Sequence, residues 1–394
     1  MTYFPRKIQK ELRQYSKSKE IVIVTGMRQV GKTTLYRMIY DGLKTSNKIF
    51  IDLENPVEQK IFEEVDYNNI LANLKHRGIH TKSTAYLFLD EIQAMPEVVR
   101  AIKYLHDHYD IKFFLTGSSS FYLKNLFPES MAGRKYVFEL FPLDFEEFLF
   151  FKGVARRSGK TFLQKSKQKN AISYENIKKF YDEYVQYGGF PAVVLKEDHR
   201  EKTLLLQDIL TSYFEKEVKA LADFKHLHAF RELMLLLMQR VGSKLEIAKL
   251  ASEIGVSRET VYSYLNFLEH TYFVHFITPY SKNVDREISG GRKVYLCDTG
   301  LLNQFARVSE GALFENSVYL NARKYGSVHF YQKRSGGEID FVINKKIALE
   351  VKHKGSARDY ERLMRVAKSI DMQYAYLITR EFLNEPGAIP AVEL

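Results

Sequence analysis

The stretch IVIVTGMRQVGKTTLYRMI, residues 21–39, changes character twice. IVIVT is apolar and β-branched on both alternating faces, the composition of a strand buried within a parallel sheet. GMRQVGKT, residues 26–33, then satisfies the spacing G-x-x-x-x-G-K-[ST], and the segment after it reads as an amphipathic helix. Strand, glycine loop and helix together predict the first half of a βαβ unit whose loop wraps a phosphate chain. Gly26 and Gly31 allow the tight backbone that turns amide N–H groups inward, and the helix N-terminus that follows favours negative charge. On this reading Gly26, Met27, Arg28, Gln29, Val30, Gly31, Lys32, Thr33 and Thr34 hold ATP or ADP. Lys32 reaches the β- and γ-phosphates, the Thr33 hydroxyl ligates Mg²⁺, and Thr34 adds a phosphate contact.

Working outward, KIFIDLE (48–54), AYLFLDE (85–91) and KFFLTGS (112–118) are further short buried strands separated by helical stretches, so the fold class is α/β with a parallel sheet covered on both faces. AYLFLDE delivers Asp90 and Glu91 to the C-terminal edge of that sheet, where ligands of such sheets bind. Asp90 is expected to orient the Mg²⁺ shell and Glu91 to polarise the attacking water. The competing reading is an acidic pair that caps the next helix. Thr116 or Ser118, at the end of the next strand, is placed to sense the γ-phosphate or position water, unless KFFLTGS simply turns into a helix there.

The chain has 394 residues, 45% hydrophobic and 27% charged, which fits several packed units and no single small core. No apolar run is long enough to span a membrane and the start lacks the apolar stretch of a signal peptide, so the expected address is the cytoplasm, with no membrane partner. One cysteine, Cys297, excludes an internal disulfide and a multi-cysteine zinc site. A net charge of +11 favours a polyanionic partner, an acidic membrane face would satisfy the same number, and charge alone does not choose between them; DNA is the expected partner. The most basic stretch, residues 151–170, is either a solvated loop or a nucleic-acid contact. His106, His108, His226 and His228 have no acid or cysteine partners at metal-ligand spacing and are expected to take surface or packing roles.

GMRQVGKTT, YLFLDEIQ, FLTGSSS, MAGR (131–134) with FELFPLDFEEFL, and YGGFP (187–191) together resemble a large prokaryotic family of AAA+-like ATPases with an uncharacterised C-terminal domain, over nearly the entire chain. The resemblance implies that Arg134 is an arginine finger or γ-phosphate sensor, acting in cis or from a second copy in a homo-oligomer. A structural ion pair is the other reading. Arg28 is a weaker candidate for the same task.

Residues 243–280 carry a helix-turn-helix rhythm. Leu245, Ile247, Leu250 and Ala251 mark one helix, GVS the turn, and Val261, Tyr264, Leu265 and Leu268 the inner face of a second helix begun at Ser257. The strand after it suggests a winged version. Arg258, Thr260 and Tyr262 would then face a major groove, though such units also serve as protein-binding spacers.

In the last quarter, EIDFVINKKIALEVKH reads as a hairpin inside an αβββαβ order, which resembles the core of restriction-endonuclease-like domains. That superfamily implies Asp340, Glu350 and Lys352 as a PD-(D/E)xK set, with Glu315 as an added ligand, holding Mg²⁺ or Mn²⁺ near a scissile phosphate. Glu350 and Lys352, two apart on one strand, share a face. The plain alternative is a hairpin with charged edges. Tyr331 and His353 lie near this cleft in sequence.

The expected organisation is a P-loop ATPase core (1–142), a helical lid and connector (143–225), a winged-helix-like unit (226–292) and a nuclease-like domain (293–394). The expected function is Mg²⁺-dependent ATP hydrolysis coupled to action on DNA. The alternative is a nucleotide-controlled switch with a silent nuclease-like domain.

Overall fold

The structure is a computed structural model and describes residues 3–118, 133–154, 160–218, 227–283, 285, 287, 290–333 and 336–394. Ser119 and Ser120, Met131 and Ala132, the middle of the basic stretch and His226 lie outside these residues. The chain forms two compact units, residues 1–141 with 270–272, and residues 142–269 with 273–394.

The first unit is built on β1 (Ile21–Thr25), β2 (Lys48–Asp52), β3 (Ala85–Asp90), β4 (Ile111–Gly117) and β5 (Lys135–Glu139). All neighbours are parallel, in the order β2-β3-β4-β1-β5. β1 and β4 are buried at every position, so IVIV and FFL run apolar without alternation, while β4 also buries Lys112 and Thr116. Leu87, Leu89, Phe113 and Leu115 pack with Ile102 and Leu105 of the helix Val98–His108. Each such side chain contributes about 1.5–3 kcal/mol on burial. Because β4 is inserted between β1 and β3, its end stands between the phosphate loop and the Asp90–Glu91 pair.

β5 is absent from the sequence expectation. It lies at the sheet edge, where Tyr136 and Val137 are 39% and 48% exposed, so KYVFE lacks the apolar continuity that marks its neighbours.

The second unit begins with helices that include Phe145–Phe151, Ala171–Tyr187 and His199–Tyr213. The helices Leu227–Gln239, Ile247–Glu253 and Arg258–His270 follow, with the antiparallel pair β6 (Val274–Ile277) and β7 (Lys293–Leu296). A mixed five-stranded sheet closes the chain: β8 (Val328–Gln332), β9 (Glu338–Ile343), β10 (Ile347–Lys352), β11 (Tyr374–Thr379) and β12 (Ala388–Pro390). β8, β9 and β10 pair antiparallel, and β10, β11 and β12 parallel. With the helices Glu310–Ala322 and Ala357–Ser369 this has the expected αβββαβ order plus a short added edge strand. Ile339, Val342 and Ala348 pack on Leu363 and Ala367 of the second helix. The three-residue β9–β10 connection, 344–346, bends at Asn344 and Lys345, both at positive φ.

YGGFP proves to be a packing device. The Gly189 N–H donates to the Asp298 carboxylate at 2.7 Å, and Leu301 N–H donates to the same side chain at 3.1 Å. A Cβ on Gly188 would lie 2.0 Å from Asp298 Oδ1, and one on Gly189 2.3 Å from the Leu143 carbonyl oxygen. Burial pushes the Asp298 carboxyl up to about 6, against its hydrogen bonds from Gly189, Leu301 and Gly300, which pull it down. The folded state therefore holds this proton more tightly than the unfolded chain. The associated stability is present below the unfolded value near 4 and is lost as pH rises to about 6, on the order of 3 kcal/mol in all. Asp298→Asn, which cannot ionise, should show a stability deficit in urea melts that shrinks between pH 4 and 6; a constant deficit would contradict the assignment.

Candidate functional sites

At the C-terminal edge of β1 the loop closes on its own lysine. Lys32, 4% exposed, donates to the carbonyls of Gly26 and Met27 at 3.0 and 3.2 Å and stands 3.8 Å from Glu91 Oε1. Gly31 caps the helix Lys32–Gly42 at φ +95°, and a Cβ on Gly26 would meet the Leu140 carbonyl oxygen at 2.0 Å, so both positions exclude a side chain. Gln29 takes a positive φ within the same tight turn. Thr33 and Thr34 are exposed in the first turn of that helix, while Val30 turns into the core. Arg28 is paired with Glu54 at 3.3 Å. Arg6 holds the loop from outside, donating to the carbonyl of Val30 at 2.9 Å and to that of Phe141 at 2.8 Å.

The acidic strand meets this loop directly. Thr33 Oγ1 donates to Asp90 Oδ2 at 2.7 Å, and Thr116 donates to the other oxygen of Asp90. Burial raises the Asp90 carboxyl above its ordinary value, and the hydrogen bonds from Thr116 and Thr33 act against that rise. A hydroxyl and a buried carboxylate at this separation are oxygen donors suited to a hard divalent cation that keeps several waters. Glu91 sits in the left-handed region at φ +54°, its N–H bonded to Thr116 Oγ1 at 2.9 Å. Its carboxylate accepts from Gln93, whose amide also donates to Ser118 Oγ at 3.0 Å. The structure thus brings Lys32, Thr33, Asp90, Glu91, Thr116 and Ser118 together. Gln93, which ties Glu91 to Ser118, carries no motif and was not legible in the sequence.

Arg134 is elsewhere. Its carbonyl accepts from the Ile21 N–H, at the start of β1, and its guanidinium pairs with Asp107 at 3.4 Å. The phosphate loop leaves the other end of β1, so an arginine finger in cis does not fit this position. His106 and His108 bond to backbone carbonyls and do not join the site.

In the second unit, β9 and β10 pair with Leu349 opposite Phe341, and one further step sets Glu350 opposite Asp340. Asp340 accepts the Val351 N–H at 2.7 Å. Burial, with the charges of Glu315 and Glu350, pushes its carboxyl up to about 8. Glu350, 4% exposed, engages Lys352 at 2.9 Å and Arg362 at 3.1 Å through Oε1, and leaves Oε2 buried without a hydrogen-bond partner. Glu315 accepts from the Tyr295 hydroxyl at 2.6 Å. Burial draws Lys352 down, but the hydrogen bond and charge of Glu350 outweigh it and hold the ammonium above its ordinary value. The expected acids are neighbours, yet among the described residues no three His, Cys, Asp or Glu side chains form a group that could hold a metal ion. The metal cage expected of Asp340, Glu350 and Glu315 is therefore not preformed: Lys352 and Arg362 engage Glu350, the Val351 N–H donates to Asp340, and the Tyr295 hydroxyl donates to Glu315. His353 stands 3.9 Å from Glu310 and from Glu381, and Tyr331 lies on β8.

In the helix-turn-helix segment, Ser257 Oγ accepts from Thr260 N at 3.1 Å, capping the helix Arg258–His270. Val261, Tyr264, Leu265 and Leu268 are buried, while Arg258 and Tyr262 are exposed and Thr260 is partly so. Among the described residues no helix is long and apolar enough to cross a membrane.

A family model described as an AAA domain matches residues 18–149, and models of two domains of unknown function, DUF8612 and DUF4143, match residues 178–312 and 310–390. An uncharacterized protein of Methanocaldococcus jannaschii is 30% identical over 336 residues, covering 82% of this chain and 72% of that protein. An uncharacterized protein of Haemophilus influenzae is 24% identical over 349 residues, covering 85% and 82% respectively. Among solved structures, the Walker-type ATPase of Pyrococcus abyssi aligns with a TM-score of 0.50 at 12% identity, over 77% of this chain and 95% of that one, a likeness of fold.

Proposed function

This chain belongs to one family with the Methanocaldococcus jannaschii protein and carries a P-loop ATPase fold of AAA type; from that premise we propose that it is an Mg²⁺-dependent ATPase that couples ATP binding and hydrolysis to action on DNA through its C-terminal half. The observation that carries the first part is the Thr33–Asp90 hydrogen bond, with Lys32 and Glu91 facing each other beside it. Mg²⁺, when bound, would neutralise phosphate charge. Thr33 and Asp90 are the residues that would hold it. Lys32 leaves the Gly26 and Met27 carbonyls to pair with the phosphates, and Glu91, fixed by Gln93 and Thr116, accepts the proton of the attacking water. Glu91→Gln keeps the shape and the Gln93 contact but cannot take a proton. It should bind a fluorescent ATP analogue with near-wild-type affinity while turnover falls by roughly 10²–10⁴-fold. Equal loss of binding would reassign Glu91 to nucleotide affinity.

The reading of the C-terminal half rests on Asp340, Glu350 and Lys352 standing together in the αβββαβ order, with a net charge of +11 favouring DNA. A PD-(D/E)xK nuclease-like fold accounts for this set, with the segment around Arg258, Thr260 and Tyr262 as a winged-helix-like DNA contact. The panel that tests it presents plasmid, single-stranded and branched DNA with Mg²⁺ or Mn²⁺, with and without ATP. Asp340→Ala and Lys352→Ala should each abolish cleavage; cleavage that survives both places the activity elsewhere. One observation favours a second reading, a nucleotide-controlled switch with a silent nuclease-like domain. Glu350 is engaged by two cations and no metal group is preformed among the described residues. For Arg134, a role across a subunit boundary of a homo-oligomer is the form of the arginine-finger reading compatible with its position.

A further inference from the structure

A cavity of about 610 Å³ opens in the second unit beside the edge strand β8. Past the end of β6 the chain stays alongside β8: the Phe330 N–H donates to the Thr278 carbonyl at 3.1 Å, and the Tyr280 N–H donates to the Phe330 carbonyl. Beyond that point residues 280–282 and 331–333 form two walls, and Ser369 and Ile370, where the helix Ala357–Ser369 ends, add a third. The walls bring Tyr280 and Tyr331 together with Lys244, Lys282 and Lys333, and no Asp or Glu is among the described residues that line the cavity. Lys282 is engaged by Asp371, whereas Lys244 and Lys333 are exposed and have no acid partner among the described residues. Lys293 supplies the contrast. It bridges to Lys244 backbone to backbone, and both ammonium groups stand over the Phe330 ring, 5.3 and 5.5 Å from its centre, but Lys293 is buried and goes on to Glu338 at 2.8 Å. Both tyrosines are partly buried and pack against the cluster that includes Ile339, Leu363 and Ala367, so their rings are held in place before any ligand arrives.

Anchored aromatic rings among lysines without acids suit a ligand that has flat apolar faces and a repeated negative charge. We propose that this cavity binds single-stranded DNA, with one or two unstacked bases against Tyr280 and Tyr331 and the adjoining phosphates beside Lys244 and Lys333. The inference rests on the reading of the C-terminal half as acting on DNA, and it names the form of DNA and the place that takes it. A duplex does not suit the site, because neighbouring bases already cover its base faces and leave the tyrosines nothing to stack on. An acidic peptide would satisfy the lysines and leave the rings unused. The size agrees, since cavities of ~300–1,000 Å³ enclose a drug-sized molecule and a nucleotide is of that order. Stacking and phosphate contacts are indifferent to base identity, so little sequence preference is expected.

The test is fluorescence anisotropy of a labelled oligothymidylate of roughly 12 nucleotides with the full-length, nucleotide-free chain, at low salt and without divalent metal. The single strand should bind roughly tenfold or more tighter than a duplex of the same length. Tyr331→Ala should weaken binding roughly 5–100-fold, while Tyr331→Phe, which keeps the ring, should not. Lys244→Gln combined with Lys333→Gln changes two exposed side chains and leaves the tyrosines packed. It should weaken binding and lower the slope of log affinity against log salt by about 1.4, at ~0.7 for each lost phosphate contact. Unchanged affinity and slope in that double variant overturns the proposal and needs no tyrosine variant to fold. So does a duplex bound as tightly as the single strand, or polyglutamate that displaces the oligonucleotide as well as unlabelled oligothymidylate does. Binding that depends on Lys244 and Lys333 in a chain that cuts none of the DNA panel keeps the cavity's assignment and removes the nuclease reading. Cleavage by a chain whose single-strand binding ignores both lysines does the reverse.

Discussion

Lys32→Ala should abolish Mg²⁺-dependent ATP turnover. The lysine is the one charge in the loop itself that the geometry leaves free to transfer: its contacts at 3.0 and 3.2 Å are to carbonyls of its own turn, and its distance to Glu91 is 3.8 Å. Arriving phosphates offer a full negative charge in place of two neutral carbonyls, and charge-assisted hydrogen bonds are roughly twice as strong as neutral ones. Truncation removes this pairing in the ground state and again where charge builds on the transferring phosphoryl group, so a loss of at least ~10³-fold in turnover is expected. The chain is expected to stay folded, since the nearest acid to the ammonium, Glu91, stands 3.8 Å away and has Gln93 as a second partner. A steady-state phosphate-release assay with a circular-dichroism melt checks both halves of the statement. Wild-type turnover in a folded Lys32→Ala chain would end the hydrolytic reading of the loop.

Gly189→Ala should cost the second unit its native state. The added carbon would lie 2.3 Å from the Leu143 oxygen and 2.9 Å from the Leu143 nitrogen, both backbone atoms with no rotamer to yield. Relieving the clash separates the Leu143 N–H from the Gly189 carbonyl, now 2.7 Å apart, and pulls the Gly189 N–H from Asp298. A buried carboxylate and two backbone groups then lose partners at once, and about 4 kcal/mol or more is expected from that combination. Gly153→Ala is the control. Gly153, unlike Gly189, takes a positive φ of 73°, but nothing lies within 4 Å of an added Cβ, so only the backbone strain of about 1–2 kcal/mol applies. Urea unfolding of the two variants should separate them clearly; similar midpoints would mean that the Leu143 contact yields more easily than its geometry implies.

These two positions also show where the sequence was legible. The phosphate loop is a local object: nine consecutive residues carry the turn, the helix start and the ligands, so spacing alone locates it. β1, β3 and β4 are equally plain because burial on both faces leaves the apolar runs IVIV, LFL and FFL. β5 and β12 were not, since an edge strand needs no such run and tolerates the proline that ends β12. YGGFP stood out as a motif, but its partner Asp298 is 109 residues away, and no periodicity links them. The same distance problem hid Lys293 from Glu338 and Gln93 from Ser118. For Arg134 the resemblance supplied a role that its place beside the start of β1 does not support within one chain.

The Arg6 guanidinium acts as a mechanical linkage. One of its nitrogens grips the phosphate loop at Val30, and another grips Phe141, the last residue of the first unit before the chain runs on at Pro142. Loop and exit segment cannot move apart without breaking one of these two bonds, and the Gly26–Leu140 contact stiffens the same joint. A displacement of the loop would therefore pull on Phe141 of the same unit through a rod one side chain long.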